Sequence, residues 1–110
     1  MRNVSLTFSE AALPLVQRRV DELRILGYTE ACALPEAEGS DLLIEGLKAS
    51  LTVFRYCNAY RLEEKTLVVV LAGRPTMFGM GAQHVERGLV FSRDGTVRDA
   101  TDLELQNSGG

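Results

Sequence analysis

Residues 66–72 read Thr-Leu-Val-Val-Val-Leu-Ala, and no polar residue follows Thr66 before Gly73. The short length and the β-branched content favour a strand over a buried helical turn, and Gly73 and Pro75 end the run. A strand of an antiparallel sheet with one face in water alternates apolar and polar residues, and this strand does not. We therefore expect both of its faces to be covered, one by a helix and the other by a second subunit, a second sheet layer or a ligand.

One amphipathic helix is predicted to provide the first cover. Its apolar residues repeat with the helical period in one stripe, which consists of Leu15, Val16, Val20, Leu23 and Leu26. Because proline is disfavoured inside a helix, the helix is expected to begin at Pro14 after an irregular turn at residues 9–13, and to end at Gly27. Before it, Val4, Leu6 and Phe8 alternate with polar residues, which predicts a short N-terminal strand.

The remaining segments predict a loop and further strands. Residues 28–40 contain proline, glycine and several carboxylates, and are expected to form a loop. Residues 47–57 are predicted to be a strand, with a helix over residues 41–60 as the alternative, because the apolar spacing there also fits a helical stripe. Residues 84–91 and 96–105 are predicted to pair as a hairpin across Asp94-Gly95, and residues 106–110 to form a flexible tail.

These elements predict an α+β domain over residues 1–105. One amphipathic helix would pack on a curved antiparallel sheet of about four to five strands, in the order β-α-β-β-β-β. The cystatin-like and hot-dog folds share this arrangement, as an analogy of architecture only, and an architecture does not define a function.

Composition narrows the classes of protein. A chain of 110 residues with a net charge of −3 fits one domain, and its scattered Lys and Arg residues do not predict nucleic-acid binding. No apolar run approaches the ~18–20 residues that span a bilayer, and the first residues lack the apolar core of a signal peptide, so we expect a cytoplasmic protein that does not bind membranes. Cys32 and Cys57 are expected to be reduced thiols.

Acidic residues are concentrated in one segment. Residues 30–45 contain five carboxylates and no Lys or Arg: Glu30, Glu36, Glu38, Asp41 and Glu45. A solvated loop explains this composition, and an acidic rim that attracts a basic partner is the alternative.

The sequence contains no recognisable catalytic motif. His84 is the single histidine, and none of the common metalloprotease, nucleophile-elbow or phosphate-loop patterns is present, so we assign no catalytic residue, metal ligand or cofactor. A nucleophilic pair of Cys32 or Cys57 with His84 remains an alternative, because distance along the chain does not forbid it.

Two sets of residues are candidates for binding. Met77, Phe78 and Met80 lie among glycines just after the apolar run, as in an adaptable binding loop, although they can equally cover an end of the core. An apolar pocket between helix and sheet would have polar groups at its mouth, and the candidates are Arg55, Tyr56, Tyr60, Arg74 and His84.

Two hypotheses of function follow. The first is a non-enzymatic protein-interaction module that homodimerises through an apolar sheet face, with Val68, Val69 and Val70 at the interface. The second is a small-molecule-binding protein or minor enzyme, with an apolar ligand in a pocket between helix and sheet.

Overall fold

The computed structural model describes residues 8–44, 46–60, 65–75 and 82–108. Its elements are α1 (Phe8–Leu23), α2 (Tyr28–Cys32), β1 (Ala37–Ile44), β2 (Leu47–Tyr60), β3 (Lys65–Pro75), β4 (Ala82–Ser92), β5 (Val97–Asp99) and α3 (Asp102–Ser108). The described strands form one open antiparallel sheet in the order β1-β2-β3-β4-β5, with helices packed on it. The α+β prediction is confirmed.

The central strand β3 is covered on both faces, as its sequence predicts. Val68, Val70 and Ala72 belong to the core cluster that contains the buried residues of α1. On the opposite face, Leu67 and Val69 cluster with Val90 of β4 and Leu105 of α3. The second cover at this point is therefore a helix of the same chain, where the sequence led us to expect a second subunit, a second sheet layer or a ligand.

The first helix begins earlier than the sequence predicts. It starts at Phe8 and contains Pro14, so the expected irregular turn at residues 9–13 is wrong. Phe8, Ala12 and Val16 follow one another at intervals of four residues and are buried on one side of the helix, at 6%, 0% and 0% exposure. Burial of one phenylalanine contributes about 2 kcal/mol, which offsets most of the ~3 kcal/mol that an internal proline costs. Residues 4–7 of the predicted N-terminal strand lie outside the described residues.

The predicted loop at residues 28–40 is wrong, because it contains α2 and the beginning of β1. The N–H of Gly27 donates to Glu30 Oε1 at 3.0 Å at the start of α2. β1 pairs with β2 from Ala37–Phe54 to Ile44–Leu47, which also excludes the helical alternative for residues 41–60. Residues 37–41 are all exposed, so the composition of this edge strand resembles that of a loop.

The hairpin across Asp94-Gly95 is confirmed, and Gly95 has the positive φ of 99° that this turn requires. The second strand, however, ends at Asp99, so the prediction of a strand up to Leu105 is wrong. The N–H of Thr101 donates to Glu104 Oε1 at 2.8 Å, and the N–H of Glu104 donates to Thr101 Oγ1 at 3.2 Å. This capping box starts α3, which extends three residues into the segment predicted as a flexible tail.

Candidate functional site

The sheet side opposite α1 is only partly covered by α3. Four side chains of β2 and β3 share this side with the cluster that contains Leu105 but are only half-buried, and we call them the open face: Thr52, Phe54, Tyr56 and Leu71. The strand register puts them on one side, because Phe54 pairs with Val69, Tyr56 with Leu67 and Thr52 with Leu71. The open face is therefore a continuous, mostly apolar surface of adjacent strands.

Two aromatic rings form its centre. Phe54 and Tyr56 lie two residues apart on β2, and their rings stack with centroids 6.3 Å apart and an interplanar angle of 30°. Burial raises the pKa of Tyr56 above its ordinary value, and the negative charge of Glu86 raises it further. The phenol group of Tyr56 is already neutral near pH 7 at its ordinary pKa of 10.0, and the raised pKa extends this neutral range to higher pH.

The three predicted interface residues are all buried within the single chain. Val68 and Val70 are each 1% exposed and belong to the core on the α1 side, whereas Val69 is 3% exposed and lies on the other side. Val69 is thus the one residue of the three that shares a side with the open face.

The predicted polar residues whose side chains the structure describes lie on both sides of the sheet. Arg55 and Arg74 lie on the α1 side, where Arg55 Nε donates to the Leu34 carbonyl and the Arg74 guanidinium lies 5.4 Å from the centroid of the Phe8 ring. Tyr56 lies on the opposite side, and His84 is exposed on β4. The side chain of Tyr60, at the end of β2, is outside the described part of the structure, as are Met77, Phe78 and Met80.

The space directly beneath α1 is filled by packed side chains. Ala12, Val16 and Val20 are 0%, 0% and 2% exposed. His84 instead borders a groove of about 390 Å³ at the side of the sheet. Its walls include Leu13 of α1 and Asp102 of α3, and it lies along the part of β4 that precedes the pairing with β5.

The thiol of Cys32, at the end of α2, lies against a part of the sheet that is distant from His84. Its Sγ lies 3.0 Å from Thr66 Oγ1, at the end of β3 that pairs with Phe91. His84 pairs with Gly73, seven residues further along β3. This separation is roughly 23 Å at the rise of a β-strand, so Cys32 and His84 do not form a catalytic pair. The side chain of Cys57 lies outside the described part.

The sequence reasoning missed α3, although a signal for it is present. Thr101-x-x-Glu104 has the spacing of a capping box, and Leu105 follows as its first buried residue. The strong turn signal at Asp94-Gly95 predicts a strand for the same segment, and the capping box is the competing signal that the structure follows.

The described residues contain neither a membrane-spanning helix nor a cluster of metal ligands. No helix there has the length and apolar composition that crossing a membrane requires. In the same residues, no three His, Cys, Asp or Glu side chains are grouped so that they could hold a metal ion. A scan against models of protein families finds no match, and searches against curated proteins and against solved structures find none either.

Proposed function

We propose that this chain is a non-enzymatic protein-interaction module that homodimerises through the open face. The observation that carries the proposal is the stacked pair of Phe54 and Tyr56 beside Leu71, all half-buried on a sheet surface that α3 leaves uncovered. Aromatic residues are enriched at protein interfaces, where they bury a large apolar area with little loss of side-chain entropy. Association would remove this surface from water, at about 25 cal/mol per Å² of apolar area.

The open face suits a symmetric dimer. A two-fold interface brings the same patch of each copy together, so one apolar surface per chain is sufficient. A cytoplasmic location is part of this proposal, and it is supported by the free thiol of Cys32, which suits a reducing compartment.

The experiment is a measurement of oligomeric mass by native mass spectrometry and light scattering. The wild-type protein is expected to be a dimer, and Leu71→Lys a folded monomer, because a lysine at this half-buried site would carry its charge into the interface. Ile25→Lys is the matched control, since Ile25 is 86% exposed and is not part of the open face. It should leave the mass unchanged.

Leu71 is a better site than Val69 for a lysine substitution that tests dimerisation. Val69 is 3% exposed beneath Leu105, so a lysine there would test folding instead of association. A wild-type monomer at micromolar concentration, or a Leu71→Lys variant that is folded and still dimeric, would reject the dimer.

The same spectra test the small-molecule alternative. One specific feature favours it, the groove beside His84, with its mixture of apolar and charged walls. A reproducible extra mass per chain in the gently purified protein would support this alternative and would report the class of ligand.

A further inference from the structure

The strand β1 is an edge of the sheet with one open side. It pairs with β2 along all eight of its residues, and in the described part of the chain no other strand pairs with it. An edge strand presents a row of backbone N–H and C=O groups that can pair with another extended chain.

The register identifies which backbone groups point outward. The Glu36 carbonyl accepts from the N–H of Arg55, so Glu36 faces β2. Backbone groups of an antiparallel strand alternate in direction from residue to residue. Four residues of β1 therefore direct both their N–H and their C=O groups away from the sheet: Ala37, Gly39, Asp41 and Leu43.

The side chains along this edge are accessible and acidic. Residues 37–41 are all exposed, and Leu43 is 67% exposed. Glu38 and Asp41 lie on the strand and Glu36 immediately precedes it, whereas residues 25–47 contain no Lys or Arg. An incoming strand thus meets one carboxylate on each side of the sheet, because Glu38 and Asp41 are three residues apart and point to opposite faces. Two cations of the same chain also lie near this edge: Arg19, which pairs with Glu22, borders the surface beside Glu38, and Lys48 borders the surface beside Asp41.

The charges disfavour a second copy of β1 as the occupant. A second β1 strand carries Glu38 and Asp41 and no Lys or Arg, so it would add negative charge to this edge and offer no opposite charge. Like charges directly opposite each other destabilise a strand pair, whereas opposite charges stabilise it. The occupant that fits is an extended segment with Lys or Arg.

We propose that the outer edge of β1 binds a basic, extended segment of another protein by addition of a strand to the sheet. This inference rests on the proposed role as an interaction module and names the partner's chemistry, but it uses a surface separate from the open face. Backbone hydrogen bonds to residues 37–43 would provide the affinity, and Glu38 and Asp41 would select lysine or arginine at positions three apart.

The first test uses synthetic peptides on the full chain. The basic probe is a ten-residue β-prone peptide with two lysines three positions apart, and its matched control carries glutamates at the same positions. The basic peptide is expected to bind at least about tenfold more tightly, as two charge-pair differences imply, and this preference should shrink at high salt. The double variant Glu38→Lys/Asp41→Lys should reverse the preference.

A second test separates strand addition from mere charge attraction. Amide hydrogen exchange should slow on peptide binding at Ala37, Gly39, Asp41 and Leu43, but change little at the intervening residues, whose N–H groups already bond to β2. Asp41→Pro removes one outward N–H and should abolish binding, whereas Asp41→Asn loses the same charge and should only weaken it.

Three results would overturn the proposal. The first is equal affinity for the two peptides, and the second is peptide binding without alternating protection of the β1 amides from exchange. The third is protection of the outward amides that rises with protein concentration alone, which would identify a second copy as the occupant. A monomeric wild-type protein that still binds the basic peptide would reject the dimer but not this inference.

Discussion

The side chain of Leu105 in α3 lies directly on Gly88 of β4, so closely that a β-carbon at residue 88 would stand 3.0 Å from Leu105 Cδ2 and 2.9 Å from the Val68 carbonyl oxygen. This contact fixes α3 over the sheet and buries Val69 and Val90 beneath it. The extent of the open face therefore depends on the position of α3.

The first prediction is that Gly88→Ala destabilises the protein. The new methyl group meets a backbone oxygen, which cannot move without disturbing the ladder between β3 and β4, and such overpacking typically costs about 1–3 kcal/mol. The free energy of unfolding in urea measures the effect. Gly39→Ala is the control, because its β-carbon would meet a side-chain atom, Thr52 Oγ1, at a similar 2.9 Å. An equal loss in both variants would contradict this interpretation.

The second prediction concerns Glu104, which fixes α3 in two ways. Its carboxylate accepts from Arg98 Nη1 and Nη2, both at 2.7 Å, and also from the N–H of Thr101. Glu104→Ala removes the ion pair and the cap, and should lower the free energy of unfolding by about 2 kcal/mol.

Glu104→Gln provides the control for this prediction. This variant keeps an oxygen that accepts from the N–H of Thr101 but loses the charge. Because an exposed ion pair contributes only about 0–1 kcal/mol, Glu104→Gln should lower the free energy of unfolding by less than half as much as Glu104→Ala. Equal losses would show that the cap contributes nothing.

The third prediction is a loss of stability at alkaline pH that depends on Tyr56. Burial, followed by the charge of Glu86, raises the pKa of its phenol in the folded protein. The folded state then holds this proton more tightly than the unfolded state does. The contribution of the protonated phenol to the free energy of unfolding is therefore complete below pH ~10 and is lost as pH rises through the folded pKa. Tyr56→Phe should unfold with a smaller change in urea midpoint between about pH 8 and about pH 11.

Glu86→Gln tests the cause of that shift. It should lower the pKa of Tyr56 only in part, because burial is the larger cause. A spectrophotometric tyrosine titration follows this change. A Tyr56→Phe variant with the same alkaline loss as the wild type would assign the loss to other residues.

Local sequence signals predict the elements in which residue type directly reflects burial or backbone conformation. The run from Thr66 to Ala72 is apolar because both sides of β3 are buried, and Asp94-Gly95 predicts a turn because Gly95 has positive φ. The start of helix α1 is predicted too late, because the local effect of Pro14 is outweighed by the tertiary burial of Phe8.

The edge strand and the open face were harder to predict. The edge strand β1 is held by backbone pairing with β2, which leaves no apolar pattern in residues 37–41. The open face depends on which side of β3 each residue occupies and on how far α3 reaches. The side that each residue occupies and the reach of α3 are both properties of the assembled sheet. The sequence therefore indicates that both sides of β3 are covered, but it does not indicate where the cover by α3 ends.

The fourth prediction concerns the turn at Asp94. Hydrogen bonds from the Thr96 hydroxyl and from the Thr96 N–H, at 2.7 Å and 2.9 Å, lower the pKa of Asp94, and the hydroxyl is the larger cause. The folded state therefore binds this proton less tightly than the unfolded state, so the stabilisation is present above pH ~4 and is lost as pH falls through the lower folded pKa. Thr96→Val should raise the pKa of Asp94 in an NMR titration of its carboxyl group, whereas Thr96→Ser, which keeps the hydroxyl, should leave it low. If both variants titrate like the wild type, the backbone N–H alone holds the carboxylate, and the turn does not depend on the side chain of Thr96.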